Sequence, residues 1–459
     1  HIAAGQWNAT GATWVEMDAN LPSGESLVRQ FLYGMRYFQR ELGVRPEVLW
    51  LPDGFGFSGA LPQIMRQAGI RYFFTNKLSW NDHAKQPHDT FWWEGIDGSR
   101  VLAHLGTTPE TVWDVGRARA YATYVAQMTP EEILGTWTRY RQKEANQQLL
   151  IPFGMGDGGG GPNREMLERR ERMANLPGLP QVVHSSAETF FHALEDNLTG
   201  DLPRWVGELY LQFHRGTFTT HGRTKRFNRT SEGLLHDLEA LASMRFLLDG
   251  HYPQEAINNA WESVMLNQFH DILPGSSVRE VHEEAEQRYA EMQTAVRQHL
   301  NQTIAALANH IVPDPEHPSF AVFNTLGHPL GGTIEINLPG QDDVIITSPA
   351  GETVPFQWLN QAERRALVQL SAVPAYGYAV YTMQPASKRA TAVTHSPVTG
   401  TPTRLENEWL LAEFDETGSL IRLFDREHQR EVLAAGSGGN QLWAYVDRPT
   451  QFDAWEVEA

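Results

Sequence analysis

Apolar positions recur at helical spacing between Glu25 and Leu42 (Leu27, Val28, Phe31, Leu32, Met35), just after the turn formers Pro22-Ser23-Gly24, and predict a helix there. Val48-Leu49-Trp50-Leu51 is a short continuous apolar run and reads as a buried strand, stopped abruptly by Pro52, Gly54 and Gly56. Ala60 to Ala68 reads as a short helix ended by Gly69, and Tyr72-Phe73-Phe74 as the next strand. Phe91-Trp92-Trp93 and Val101-Leu102-Ala103 flank Asp97-Gly98, a hairpin signature. Pro130 to Asn146 reads as a helix and Leu149-Leu150-Ile151 as a strand. This alternation predicts a parallel sheet or a partial (β/α) barrel-like domain whose polar loops share one rim.

The texture changes near Tyr210. From Thr224 to Ala308 three long helical patterns run with few breakers except Gly250 and the Leu273-Pro274-Gly275 stop, which predicts a three-helix bundle. From Phe320 onward short β-rich runs such as Thr333-Ile334-Glu335-Ile336 and Val344-Ile345-Ile346 alternate with Gly and Pro turns, the pattern of a β-sandwich. The expected organisation is multidomain, α/β plus all-α plus all-β: an α/β domain over 1–209, a middle helical bundle over 210–312, and the start of a C-terminal β-sandwich domain over 313–459.

Composition narrows the classes. A net charge of −18 argues against nucleic acid as a main partner. No window is long and apolar enough for a membrane helix. With no cysteine, disulfides and thiolate metal sites are excluded, which fits a cytoplasmic setting. The 14 tryptophans and 13 tyrosines suit stacking on sugar faces, although core packing uses the same rings.

Three polar clusters stand out against this background. Asp53 sits where the strand Val48–Leu51 breaks into turn formers, so its side chain is expected at a strand's carboxyl end, where α/β folds gather their chemistry. Its bland alternative, capping the helix after Ser58-Gly59, requires a position several residues later. Asp157 lies inside Gly154-Met155-Gly156-Asp157-Gly158-Gly159-Gly160-Gly161-Pro162, directly after a predicted strand. No Lys-Ser/Thr follows the glycines, which argues against a nucleotide-binding loop of the Walker type and leaves Asp157 as a proton donor, a ligand or a residue of a flexible surface loop. His270-Asp271, within Asn267-Gln268-Phe269-His270-Asp271-Ile272-Leu273-Pro274-Gly275, ends a helical pattern. A histidine there can simply complement the helix dipole. Taken together, two carboxylates from different strand ends can flank a glycosidic bond, and a His beside an Asp can begin a zinc site.

The segment Trp50-Leu51-Pro52-Asp53-Gly54-Phe55-Gly56 with Leu61-Pro62-Gln63-Ile64 resembles the nucleophile segment of glycoside hydrolase family 38 α-mannosidases. Gly156-Asp157 and the glycines after it resemble the acid/base loop of the family's cytosolic and bacterial branch, and Asn267 to Ser276 resembles its metal-ligand segment. Asn20-Leu21-Pro22-Ser23-Gly24-Glu25-Ser26, Glu208-Leu209-Tyr210 with His214-Arg215-Gly216-Thr217, and Leu405-Glu406-Asn407-Glu408 are similar to the family as well, so the likeness runs from about Trp14 to the last residues.

The resemblance implies a retaining α-mannosidase acting on mannose-containing oligosaccharides. Asp53 would be the nucleophile and Asp157 the acid/base, with carboxyl groups roughly 5–5.5 Å apart. Zn2+, replaceable by Co2+, would bind the sugar and be held by Asp53 and His270, with Asp271 as a sugar or outer contact. Lys77 and Trp80, just past a predicted strand on the rim of Asp53, and Arg215 are further expected substrate contacts; a surface lysine and a packed tryptophan are the plainer alternatives. Asp18 ranks below them. A homo-oligomer is compatible with this reading. The family's His-x-His-x-Asp motif, which supplies two more metal ligands, has no counterpart here, because no His-x-His occurs. The chain is therefore expected to be an interior fragment that binds zinc weakly and hydrolyses little by itself. The rival expectations are a related glycosidase such as a mannosylglycerate hydrolase, a catalytically incomplete carbohydrate-binding fragment, or a nucleotide-binding protein built on the glycine loop.

Overall fold

Ser23 accepts a hydrogen bond from the backbone N–H of Ser26 and so starts α1 (Gly24–Tyr37), which buries Leu27 and Phe31. In the computed structural model, which describes residues 1–81, 85–111, 121–157, 159–312, 314–338, 344–385, 398–449 and 452–457, α1 runs into a π-helical turn at Phe38–Leu42. The predicted helix to Leu42 is thus continuous but changes its winding in the last turn. β1 (Val48–Trp50), α2 (Leu61–Ala68) and β2 (Tyr72–Thr75) follow, and β1 and β2 pair in parallel with Leu49 beside Phe73. β3 (Thr90–Glu94) and β4 (Arg100–Leu105) form the antiparallel hairpin around Asp97-Gly98.

Helices α3 (Pro130–Arg139), α4 (Arg164–Met173) and α5 (Ala187–Asp196) precede β5 (Arg204–Val206). The sheet has the order β1-β2-β4-β3-β5. It is mixed rather than wholly parallel, because the tight hairpin forces β3 antiparallel to β4 while the other pairings are parallel. The described strands form an open five-stranded sheet, with no closed barrel among them.

Alternation along the strands explains the layering. Leu49, Phe73, Val101 and Ala103 point into a core shared with Leu27 and Phe31 of α1 and Leu61 and Met65 of α2. Their sequence neighbours Val48, Tyr72, Phe74 and Leu102 point the other way, against Phe190, Phe191 and Leu194 of α5. Both faces are covered, which is why these strands read as unbroken apolar runs.

Two expected elements differ. The helix predicted to reach Asn146 stops at Arg139, where Tyr140 turns extended. There the Tyr140 hydroxyl donates to Thr90 Oγ1 at 2.8 Å, and Asp89 Oδ2 accepts the Arg141 N–H at 2.9 Å. These tertiary bonds replace further helical turns. Leu149-Leu150-Ile151 lies outside the strands; only an isolated bridge joins Ala126 to Phe153. Ile151 and Phe153 instead pack on a small cluster of Met128, Ile133 and Met166.

Three long helices succeed the sheet: α6 (Gly222–Asp249), α7 (Gln254–Leu266) and α8 (Arg279–Ala308). The chain divides into two compact units, one of residues 1–239, 253–299 and 448–459, the other of residues 240–252 and 300–447. In the second unit, β6 (Ser319–Phe323), β7 (Leu330–Asn337), β8 (Val344–Thr347), β9 (Thr353–Val354), β10 (Phe356–Asn360), β11 (Arg365–Val373) and β12 (Tyr378–Pro385) form sheets of order β10-β11-β7 and β6-β12-β8-β9. Both sheets contribute to one core, with Ala366 and Val368 from the first and Ile346, Tyr381 and Met383 from the second. A five-stranded antiparallel meander, β13 (Thr399–Thr401), β14 (Arg404–Glu406), β15 (Leu410–Phe414), β16 (Leu420–Asp425) and β17 (Arg430–Glu431), completes it. No helix among the described residues is long and apolar enough to cross a membrane.

Candidate active site and metal cluster

β1 and β2 run side by side in the same direction, so the residues just beyond their carboxyl ends emerge on one rim. Asp53 follows β1 and Lys77 follows β2, and there Lys77 Nζ donates to Asp53 Oδ1 at 2.6 Å. Lys77 is 7% and Asp53 23% exposed, so this is a sheltered ion pair rather than a surface one. The turn that carries Asp53 needs its glycines. Gly56 has φ +133, and a Cβ there would meet the Asn20 side-chain nitrogen at 2.3 Å.

The stretch between α7 and α8 brings His270 to the same place. Its backbone is tied to residues 16–18 by Asp18 N–H to the Gln268 carbonyl (2.8 Å) and His270 N–H to the Glu16 carbonyl (3.1 Å). His270 Nδ1 lies 2.7 Å from the same Glu16 carbonyl. A carbonyl only accepts, so Nδ1 carries a proton and Nε2 faces the acids. Nε2 is 3.4 Å from Asp53 Oδ2 and 3.7 Å from Asp271 Oδ2.

The charges are strongly coupled. Burial alone would raise the Asp53 carboxyl, but Lys77 and His270 outweigh it and hold Asp53 well below the usual carboxylate range. Burial opposes a charge on His270 too. The hydrogen bond to Asp53 and the negative charges of Asp271 and Asp53 nevertheless push its imidazolium up to about 9. Glu16, half-buried and repelled by the charges of Asp53 and Asp271, is raised chiefly by desolvation, an effect that His270 partly offsets.

Asp157 joins this group through a residue that no motif pointed to. The hydroxyl of Tyr124 donates to Asp157 Oδ1 at 2.9 Å. The same phenol is raised by burial and then by the carboxylates of both Asp53 and Asp157, so it remains a neutral donor under the influence of both acids.

Asp53, His270 and Asp271 each offer a ligand atom, all within 4.8 Å of one another. The donor set fits a divalent cation of the zinc type: two carboxylate oxygens and an imidazole whose other nitrogen is fixed by a backbone carbonyl. The residues expected near the sugar divide. Lys77 is at Asp53. Trp80 is 8% exposed and stacks on Tyr121 at 4.4 Å between centroids, which is the packed-tryptophan alternative. It still reaches the site indirectly, since Lys77 Nζ lies 4.3 Å from its ring centroid. Arg215 is spent elsewhere, donating through Nε to the Val457 carbonyl at 2.9 Å. Asp18 is buried and accepts from the N–H groups of Asn20 and Leu21, a turn-forming role. Tyr124, Glu16 and His214 were missed. Tyr124 and Glu16 carry no local signature; His214 sits in a segment already noted, but its place is revealed by tertiary ring contacts such as that with Phe55 (4.8 Å).

A strand-end carboxylate paired with a lysine, a second acid on a glycine arc and a His/Asp donor cluster are thus set beyond the strand ends of an α/β sheet. The glycosyl hydrolases family 38 N-terminal domain matches residues 1–208, the alpha mannosidase middle domain residues 212–307, and the glycosyl hydrolases family 38 C-terminal domain residues 405–459. The chain belongs to glycosyl hydrolase family 38. It is 39% identical over 460 residues to alpha-mannosidase 2C1 of Mus musculus, covering 99% of this chain and 40% of that protein. Against alpha-mannosidase G of Dictyostelium discoideum it is 32% identical over 492 residues, covering all of this chain and 43% of that protein. The chain thus spans about two fifths of the length of these relatives. The crystal structure of an alpha-mannosidase from Enterococcus faecalis V583 shares the fold, with a TM-score of 0.70 at 20% identity over 94% of this chain and 53% of that one.

Proposed function

We propose that this chain carries the catalytic centre of a retaining α-mannosidase that releases terminal α-D-mannosyl residues from oligosaccharides. One observation supports this above the others: the Tyr124 hydroxyl donates to Asp157 while the charges of both Asp53 and Asp157 raise its phenol, which links a held carboxylate to a second, solvent-facing acid. Asp53 is kept ionised by Lys77 and His270 and attacks the anomeric carbon, forming a mannosyl ester. Asp157, exposed on its glycine arc, gives its proton to the departing oxygen and then takes one from the water that cleaves the ester. Tyr124 donates to Asp157 and orients the carboxyl through both steps. Lys77 neutralises Asp53 when it leaves as a carboxylate.

A divalent cation, zinc in this reading, would be held by Asp53, His270 and Asp271, and would supply Lewis-acid binding of sugar hydroxyls. His270 is pre-set for that role because Glu16 fixes its Nδ1 proton. The test uses the full-length protein with 4-nitrophenyl α-D-mannoside. Wild type should turn over with retention of configuration by proton NMR. Asp53→Ala should lose turnover, and Asp157→Ala should lose it for poor leaving groups first. Inversion, or full activity in Asp53→Ala, overturns the reading. Preferential cleavage of mannosylglycerate over oligosaccharides would reassign the substrate while keeping the chemistry.

A further inference from the structure

Residues 452–457 lie as a strap across the 3-10 turn Gln212–Phe218. The Gly216 N–H donates to the Trp455 carbonyl at 2.8 Å, Thr220 Oγ1 to the Ala454 carbonyl at 3.0 Å, and Arg215 Nε to the Val457 carbonyl at 2.9 Å. The approach is so close that a Cβ on Gly216 would meet the Ala454 and Trp455 carbonyl oxygens at 2.7 and 2.8 Å. The strap's rings then build a box. Phe452 packs on Trp80 and Phe213, and Trp455 stacks on His214 with centroids 4.2 Å apart and planes 14° apart. His214 is fully buried and held neutral, because burial and the Lys77 charge both disfavour its cation.

The box has a charged occupant. Lys77 Nζ lies 4.3 Å from the Trp80 ring centroid and 5.2 Å from that of Trp455, while donating to Asp53. A lysine ammonium has three N–H groups and prefers water. Here two indole faces take the place of water around it. We infer that Trp455, a residue about four hundred positions from the nucleophile, is a positioning residue for the glycosidase reaction: it fixes Lys77 against Asp53 and thereby couples the strap to the rate of the chemical steps. The inference rests on the mannosidase reading for its kinetic consequence, but the placement of Lys77 stands apart from it.

Two measurements on the intact protein test this. In the first, Trp455→Ala lowers kcat on 4-nitrophenyl α-D-mannoside by about tenfold, the scale of one desolvated cation–π contact, and leaves KM within about twofold. Trp455→Phe, which keeps a ring face, recovers most of the loss. On a Lys77→Met background Trp455→Ala adds less than about a twofold effect, because the coupling has already been removed. Should Trp455→Ala fail to fold, Gly216→Ala displaces the strap with every box side chain retained, and the same kcat loss is expected. In the second, the Lys77 ε-methylene proton resonance, shifted upfield by two indole faces, moves downfield in Trp455→Ala. An unchanged kcat, a raised KM with kcat intact, no recovery in Trp455→Phe, or an unmoved lysine resonance each overturns the inference. The resonance reads the box whether or not the protein cleaves mannosides, so a failed mannosidase assay and a failed box are told apart.

Discussion

Lys77→Met is the sharpest perturbation of the site. The ammonium sits 2.6 Å from Asp53 Oδ1, with side-chain exposures of 7% and 23%. At an effective dielectric near 20 the gross attraction at that separation is about 6 kcal/mol. Desolvation of the two charges cancels much of this in the intact pair, so the pair's net worth is small. Removing one partner is a different matter, since it leaves the other charge sheltered and unpaired, at a cost of about 3–5 kcal/mol. Asp53 keeps His270 at its other oxygen, 3.4 Å away, and some solvent contact, which places Lys77→Met at the lower end, about 3 kcal/mol. Asp53→Asn leaves an ammonium between two indoles and costs at least as much. In the double variant no charge is stranded, so the two losses should fall short of additivity by about 2 kcal/mol or more. The assay is urea unfolding at pH 7 with chelator present, following tryptophan fluorescence. Added zinc should shrink the Lys77→Met loss, because a second cation then faces Asp53. A Lys77→Met loss below about 0.5 kcal/mol, with simple additivity in the cycle, would refute the sheltered pair and the role given to Lys77.

Other outcomes follow from the same geometry. Tyr124→Phe removes the donor to Asp157 and should lower kcat by about tenfold at little cost in stability, measured on an aryl mannoside and by thermal unfolding. His270→Gln should weaken zinc binding by more than about tenfold in calorimetric titration, since even outer partners of a metal are worth that much; unchanged affinity would remove His270 from the cluster. His104 is fully buried beside Thr90, and burial depresses its pKa from 6.5 to about 3. Its folded form therefore refuses a proton that the unfolded chain accepts. Stability is kept above pH 6.5 and lost as pH falls from there toward 3, about 2 kcal/mol by pH 5. His104→Gln should flatten that part of the stability–pH curve, and an unaltered slope would show that the loss has another source.

The sequence alone carried the local layout. Apolar runs at Val48–Leu51 and Tyr72–Phe74, each cut off by turn formers, located β1 and β2, and their shared direction already implied that Asp53 and Lys77 would leave on one rim. It also marked Asp157 and His270 as unusual in their settings. What it left open was distance. Trp80 reads the same in sequence whether it greets a sugar or packs on Tyr121, and Leu149–Ile151 reads as a strand because an apolar run has no memory of which surface will cover it. Tyr124, Glu16 and Trp455 acquire their meaning only where the chain folds back: a phenol bonded to an acid, a carbonyl fixing one imidazole proton, an indole against an ammonium. Periodicity and breakers act over a few residues, so the sequence determined the elements and the rim. Electrostatics and desolvation act through space across hundreds of residues, so only the tertiary structure decided which side chains form the site.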